Sequence, residues 1–142
     1  MGLFINDREL DVVLTLREAN LIVQGALGKA RDLDIRINVA VCDAGGRLLA
    51  FQRMDGAMWA GVSGSQGKAM ASAAFGKASG ELTERANHPT LRGISAAEGN
   101  RLIMGQGAVP VIREGNIVGA CGVGGGTAEE DEICAYAGVN SL

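Results

Sequence analysis

The chain has few aromatic residues: one Trp, one Tyr and three Phe, 4% of 142 residues. A core without large rings must be built from closely packed aliphatic side chains, and 47% of the sequence is apolar. Histidine is scarcer still, with His88 alone. One imidazole and three cysteines without CxxC spacing argue against both a zinc site and a disulfide framework. Cys42, Cys121 and Cys134 read instead as small buried hydrophobes. No apolar run approaches the roughly 20 residues a bilayer crossing needs. Basic charge is not in excess either, 13 Lys and Arg against 16 Asp and Glu, so the basic face expected of a nucleic-acid binder is missing. The N-terminal "MGLFINDRELD" lacks the basic start and apolar run of a signal peptide. Asn6 stands where a myristoylation signal wants Ser or Thr. These absences together lead us to expect a cytoplasmic chain with no membrane and no nucleic-acid partner.

What is abundant is glycine, 22 residues against roughly 10 at average usage of about 7%. The glycines lie between apolar runs, which points to tight turns and close packing rather than a disordered linker. The length suits a single domain over residues 1–142 with one core.

Three stretches spell the Ser/Thr-x-x-Glu capping box of a helix start: Thr15–Glu18, Ser95–Glu98 and Thr127–Glu130. After the first, Leu16, Ala19, Val23, Ala26, Leu27 and Ala30 recur at helical spacing, and the helix should stop near residues 32–34. Ile35, Ile37, Val39 and Val41 then alternate as in a strand, "DAGG" turns the chain, and "RLLAFQR" returns. A second hairpin is expected in "AVPVIREGNIVGACGV", with "EGN" at its turn. Between the hairpins, Ala69, Met70, Ala73, Ala74 and Phe75 suggest a helix of small residues packed close to the sheet. A shorter helix is expected over "GELTERA", and Ser95 is read as opening a third segment. The order helix, hairpin, helices, hairpin, helix predicts an α+β fold: a single, mostly antiparallel sheet of two hairpins covered by helices.

Four stretches carry a family likeness: "VAVCDAGGRLLAFQRMDGA", "GKAMASAAFGKAS", "AVPVIREGNIVGACGVGGG" and "EEDEICAYAG". Over about residues 15–139 the chain resembles the GlcG/HbpS family, also called PduO C-terminal-like. The resemblance implies a mostly antiparallel α/β domain, commonly assembled into oligomers, so a homo-oligomer is expected. It also implies an association with haem or corrinoid metabolism in several relatives.

The candidate functional residues follow from chemistry. "GACGVGGGTAEEDE" is a glycine-rich loop entering a helix, a place where many proteins hold phosphate. Here no Lys-Ser/Thr follows the glycines, and Glu129, Glu130, Asp131 and Glu132 crowd the first turn, where they would repel a phosphate. The loop is therefore either a tight strand-to-helix turn or a place where a flat ligand approaches the main chain, at Gly124, Gly125, Gly126 and Thr127. Arg53 and Asp55 flank the end of the first hairpin beside Gly56. If both hairpins share one sheet, this end could lie near the glycine loop. Arg53 would then clamp a ligand carboxylate such as a haem propionate, or else form a surface pair with Asp55. Lys68 is a base or Schiff-base amine if buried, and an ordinary solvated lysine if not. His88 precedes Pro89 and so sits on a loop. It is either a surface residue or an axial haem ligand, with Met54, Met58, Met70, Met104, Cys42 and Cys121 as weaker candidates. Trp59 reads equally as a core residue or as an exposed lid or interface.

Three functions fit. The first is a small-ligand-binding protein of the GlcG/HbpS type, with haem or another tetrapyrrole as the cofactor. The second is a catabolic enzyme acting on an organic acid or carbonyl compound by proton transfer, with Lys68, Asp55 and Asp131 as the catalytic groups. The third is an assembly module without a ligand. No resident metal held by protein ligands alone is expected.

Overall fold

The computed structural model describes residues 12–142; the N-terminal stretch read above for leader and lipidation signals lies outside the described residues. Helix α1 spans Leu16–Asp32. Strands β1 (Asn38–Asp43) and β2 (Leu48–Arg53) form the first hairpin. Helix α2 covers Ala60–Phe75, a 3-10 segment covers Ser79–Arg85, and α3 runs Pro89–Ala97. Strands β3 (Ala108–Arg113) and β4 (Asn116–Gly124) form the second hairpin. Helix α4, Ala128–Val139, follows. The expected order of elements is the order found.

The two hairpins join through β1 and β4, giving one four-stranded antiparallel sheet in the order β2-β1-β4-β3. Pro110 falls in β3, at a sheet edge, where the missing N–H disturbs the ladder least. The sheet's two faces differ in side-chain size. Val39, Val41, Val109, Cys121 and Val123 point to a core shared with Ile22, Val23 and Ala26 of α1 and Cys134 and Ala135 of α4. The alternate positions, Cys42 and Ala120, meet Ala69 and Ala73 of α2. The alternation seen in sequence therefore separates large from small residues, since β1 is buried on both faces. Small residues let α2 lie very close: a Cβ at Gly122 would collide with the carbonyl oxygen of Ser65 and lie 2.7 Å from the amide nitrogen of Ala69.

Two of the three capping boxes cap helices. Thr15 accepts from the N–H of Glu18, and its own N–H donates to the Glu18 carboxylate. Thr127 and Glu130 repeat the pattern before α4. The third does not open a segment. Ser95 lies in the last turn of α3, which starts six residues earlier with Pro89 as its first residue. Proline presets the helical φ there and gives up only an N–H that would be orphaned. The backbone then ends the helix through Gly99 and Asn100, both at positive φ, and the Ser-x-x-Glu pattern falls across that end. The stretch "GELTERA" is helical as a 3-10 turn. Among the described residues, no helix is long and apolar enough to cross a membrane.

Candidate functional site

Strand register brings the end of the first hairpin beside the glycine loop. Asn38 of β1 faces Arg53 of β2 on one side and Gly124 of β4 on the other. Chain leaving β2 and chain leaving β4 therefore emerge at the same end of the sheet. There Gly56, Ala57 and Met58 face Gly125, Gly126 and Thr127 across an open cleft of about 540 Å³. Ile35, Arg36 and Glu130 complete its wall.

The glycines of this loop have a local reason. Gly125 has φ of 131°, outside the range of ordinary residues, and a side chain on it would strike the carbonyl oxygen of Arg36. Gly126 donates its N–H to Asp131 Oδ1 at 2.8 Å. The loop is thus a strand-to-helix turn held from within. It also forms one wall of the cleft.

Behind the cleft, Asn38 is fully buried. Its Nδ2 donates to the carbonyl of Met58 at 3.0 Å and lies 3.4 Å from that of Gly124. These bonds tie the cleft's two walls to β1. Its Oδ1 is buried without a hydrogen-bond partner among the described residues, a costly arrangement for an amide.

Lys68 is buried, which its sequence left open. It extends from α2, on one face of the sheet, to Asp131 of α4, on the other, with Nζ 3.1 Å from Oδ2. The two side chains are 11% and 5% exposed. Their route passes the start of β3, where Gly107 leaves room; a Cβ there would crowd Lys68 Nζ and Asp131 Cβ. Nζ also lies 3.4 Å from the carbonyl of Gln106. Burial pushes the Asp131 carboxyl above its usual value, against the opposing pull of Lys68 and of the Gly126 N–H. Both Asp131 oxygens are engaged, one by Lys68 and one by the glycine loop. This ion pair holds the loop from behind rather than lining the cleft.

The remaining expected residues are spread out. Arg53, Asp55 and His88 are exposed. Arg53 and Asp55 do not pair with each other among the described residues, and neither borders the cleft. His88 stands just before α3 and is not brought to the glycine loop. Of the weaker ligand candidates, Met54 Sδ accepts from the N–H of Ile37 at 3.3 Å, and the Cys42 thiol lies 3.6 Å from the carbonyl of Ala69. Met58, by contrast, is 61% exposed and borders the cleft. Trp59, next to it, is 78% exposed, so it is no core residue. Asn38 and Arg36 were not singled out from sequence. Asn38 opens a strand whose next four residues are apolar, and that amide at the head of the run was the available signal.

A family model described as haem degrading protein HbpS-like matches residues 14–140. The chain belongs to the HbpS-like family. It is 30% identical to an uncharacterized 15.0 kDa protein of the dhaT-dhaS intergenic region of Citrobacter freundii, over 92% of this chain and 93% of that protein. The fold superposes on a double mutant of Streptomyces reticuli HbpS with a TM-score of 0.82, at 26% identity, over 100% of this chain and 97% of that one. It superposes equally well, TM-score 0.82, on a PduOC–haem complex at 23% identity, over 92% and 96% of the two chains. That last likeness is one of fold.

Haem binding asks for apolar surface against the macrocycle, cations for the propionates and a donor for iron. The cleft supplies Ile35, Ala57 and Met58 as apolar surface, Arg36 as cation and the Met58 thioether as a soft donor. Glu130 on the same wall opposes the propionates, as it would a phosphate; the other residues fit the group.

Proposed function

We propose that the protein binds a small flat ligand of the haem or tetrapyrrole class in the cleft between the β2–α2 connection and the glycine loop. The observation that carries this reading is that cleft, where Gly56, Gly125, Gly126 and Thr127 come together around about 540 Å³. That volume lies within the roughly 300–1,000 Å³ of small-molecule sites. Membership of a family described as haem degrading, and the haem complex formed by PduOC on the same fold, support the choice of ligand class. When bound, the macrocycle supplies the light absorption and redox chemistry of its iron. The chain's own share is to cover one face with Ile35, Ala57 and Met58, to offer Arg36 to a propionate and Met58 sulfur to the metal. Asn38 ties both walls to β1, and Asp131 holds the glycine loop. Arg53, exposed on the neighbouring strand end, is a second candidate for the outer propionate.

The test is a haemin titration followed by absorbance on wild type, Met58→Ala and His88→Ala. A saturable Soret shift, lost or displaced in Met58→Ala and kept in His88→Ala, is expected. A shift abolished only by His88→Ala would move the site to the start of α3. No saturable shift would sink the reading.

A second reading is favoured by the burial of Lys68 against Asp131. A desolvated lysine–carboxylate pair is the arrangement from which a proton-transferring enzyme acting on an organic acid or carbonyl compound would draw its base. Asp55 is exposed and, among the described residues, bonds to neither member of that pair. Deuterium exchange at the carbon next to a ketoacid's carbonyl, measured on wild type and Lys68→Met, decides it: equal rates would remove the enzyme.

A further inference from the structure

At the other end of β2, beyond the hairpin turn, a second cavity of about 130 Å³ lies between α2 and the hairpin. Its floor is made of Ala40, Cys42 and Ala69, small residues of the sheet's tightly packed face. Leu48 of β2 and Met70 of α2 form apolar walls. Arg47 and Arg101 both border the opening, and among the described residues no carboxylate lines it. Two adjoining lobes, about 340 and 180 Å³, share Met70 with this cavity. Met70 borders all three, so a rotation of its flexible side chain enlarges one lobe at the expense of another.

From this geometry we infer a binding site for a small carboxylate, its charged end between Arg47 and Arg101 and its short apolar body over Ala40 and Ala69. Two guanidinium groups beside an apolar floor are the pairing that recognises such a molecule, because guanidinium forks match carboxylate oxygens. Both arginines are open to an incoming anion. Among the described residues, the Arg47 guanidinium has only a 3.4 Å contact from Nη1 to the carbonyl of Gly45. Arg101 donates from Nε to the carbonyl of Glu98 at 3.0 Å. Its Nη2 is 3.7 Å from the Glu98 carboxylate, in a pair 59% and 47% exposed, and a pair that exposed is held weakly. Glu98 itself lines the smaller adjoining lobe. At about 30 Å³ per water, the cavity holds the equivalent of about four waters, room for an acid of three or four carbons. The Gln66 side chain also borders the cavity; its Nε2 is occupied by the carbonyl of Val62, leaving its Oε1 to accept from a hydroxyl on the ligand.

The experiment is a titration of the full chain, labelled at the methionine methyl groups, with propionate and separately with uncharged propionamide, followed by NMR. The Met70 methyl signal should move saturably with propionate and not with propionamide. Arg47→Ala and Arg101→Ala should each weaken the binding by about tenfold or more, while the Met58 methyl signal at the far cleft stays put. The inference is overturned if the Met70 signal does not move, if both probes move it alike, or if the arginine variants bind propionate as wild type does. Both arginines are exposed, so the variants fold, and Met70→Leu identifies the signal.

Discussion

Removing either half of the Lys68–Asp131 pair should cost more stability than removing both. The pair is almost fully desolvated, and each group's other contacts are few. Without Asp131, the Lys68 ammonium keeps, among the described residues, only the Gln106 carbonyl at 3.4 Å. Without Lys68, the Asp131 carboxylate keeps only the Gly126 N–H. Stranding a buried charge in this way costs about 3–5 kcal/mol, whereas exchanging a whole buried pair for apolar residues is often near neutral. For a chain of this length that is a fall in Tm of about 10–20 °C for Lys68→Met or Asp131→Leu. The double variant Lys68→Met/Asp131→Leu should recover most of it, short of about 1 kcal/mol for the lost bond to Gly126.

The pH dependence carries a sign. Asp131 already titrates above its ordinary value, and Lys68 opposes that rise. Taking Lys68 away lifts the folded-state value further, so folded Lys68→Met binds more protons than its unfolded chain. Its deficit against wild type should therefore be largest near neutral pH and shrink as pH falls toward the folded value. Thermal melts of the four proteins, arranged as a double-mutant cycle, measure the coupling. Additive losses, or single variants within about 1 kcal/mol of wild type, would refute the claim that this pair is desolvated and mutually dependent.

Glu18 gives a pH dependence of the opposite sense. Burial alone would raise its carboxyl, but the Thr15 N–H and the Arg113 guanidinium hold it below its ordinary value. The stability it contributes is present above its unfolded value of 4.5 and is lost as pH falls through the lower folded value. Glu18→Gln should flatten that part of the acid melting profile, and an unchanged profile would dismiss the contribution. All three cysteines are buried and unpaired, and burial pushes the thiols up, Cys42 to about 12 and Cys134 to about 11. A thiol reagent at neutral pH should therefore find none in the native protein and three after denaturation, and rapid native labelling would contradict their burial. Gly122→Ala should destabilise by about 2–3 kcal/mol, since its Cβ meets fixed backbone of α2; a melt unchanged within a degree or two would mean that α2 sits further from the sheet.

The alternation of Ile and Val leading into and along β1, the alanine spacing of α2 and two of the capping boxes were legible because each is a local signal. Period and cap chemistry are decided within a few neighbouring residues. The Ser95 pattern misled for the same reason in reverse: a four-residue motif cannot register that Pro89, six residues upstream, has already started the helix. The adjacency of Gly56 to the glycine loop followed once both hairpins were placed in one sheet, since antiparallel register leaves little freedom about which ends meet. The burial of Lys68 was of another kind. It depends on α2 and α4 lying on opposite faces with an open passage at Gly107, a coincidence of three distant segments that no local pattern encodes. Trp59 was equally undetermined, because a tryptophan at a helix start reads the same whether it faces the core or water.

The scarcity of aromatics noted at the outset has a consequence for where ligands can sit. A core of Val, Ala and Ile packed against glycine is filled to the point where even a methyl group at Gly122 would strike backbone, so it offers no room for a broad ligand where α2 crosses β4. The two proposed ligand sites lie at opposite ends of β2, one where β2 and β4 exit and one beside the β1–β2 hairpin turn. They differ in what borders them. The first joins Arg36 to Glu130 and an exposed thioether, and its width suits a broad flat molecule that leaves one face to water. The second is narrow and carries two arginines without a carboxylate among its lining residues, which suits a short anion and excludes a macrocycle by size. Occupation of the first by haemin should quench the single, exposed Trp59 that follows Met58 in the chain. Propionate in the second, at the far end of β2, should leave Trp59 fluorescence unchanged. Quenching by propionate, or none by haemin at concentrations that shift the Soret band, would show that the two ligand classes have been assigned to the wrong ends.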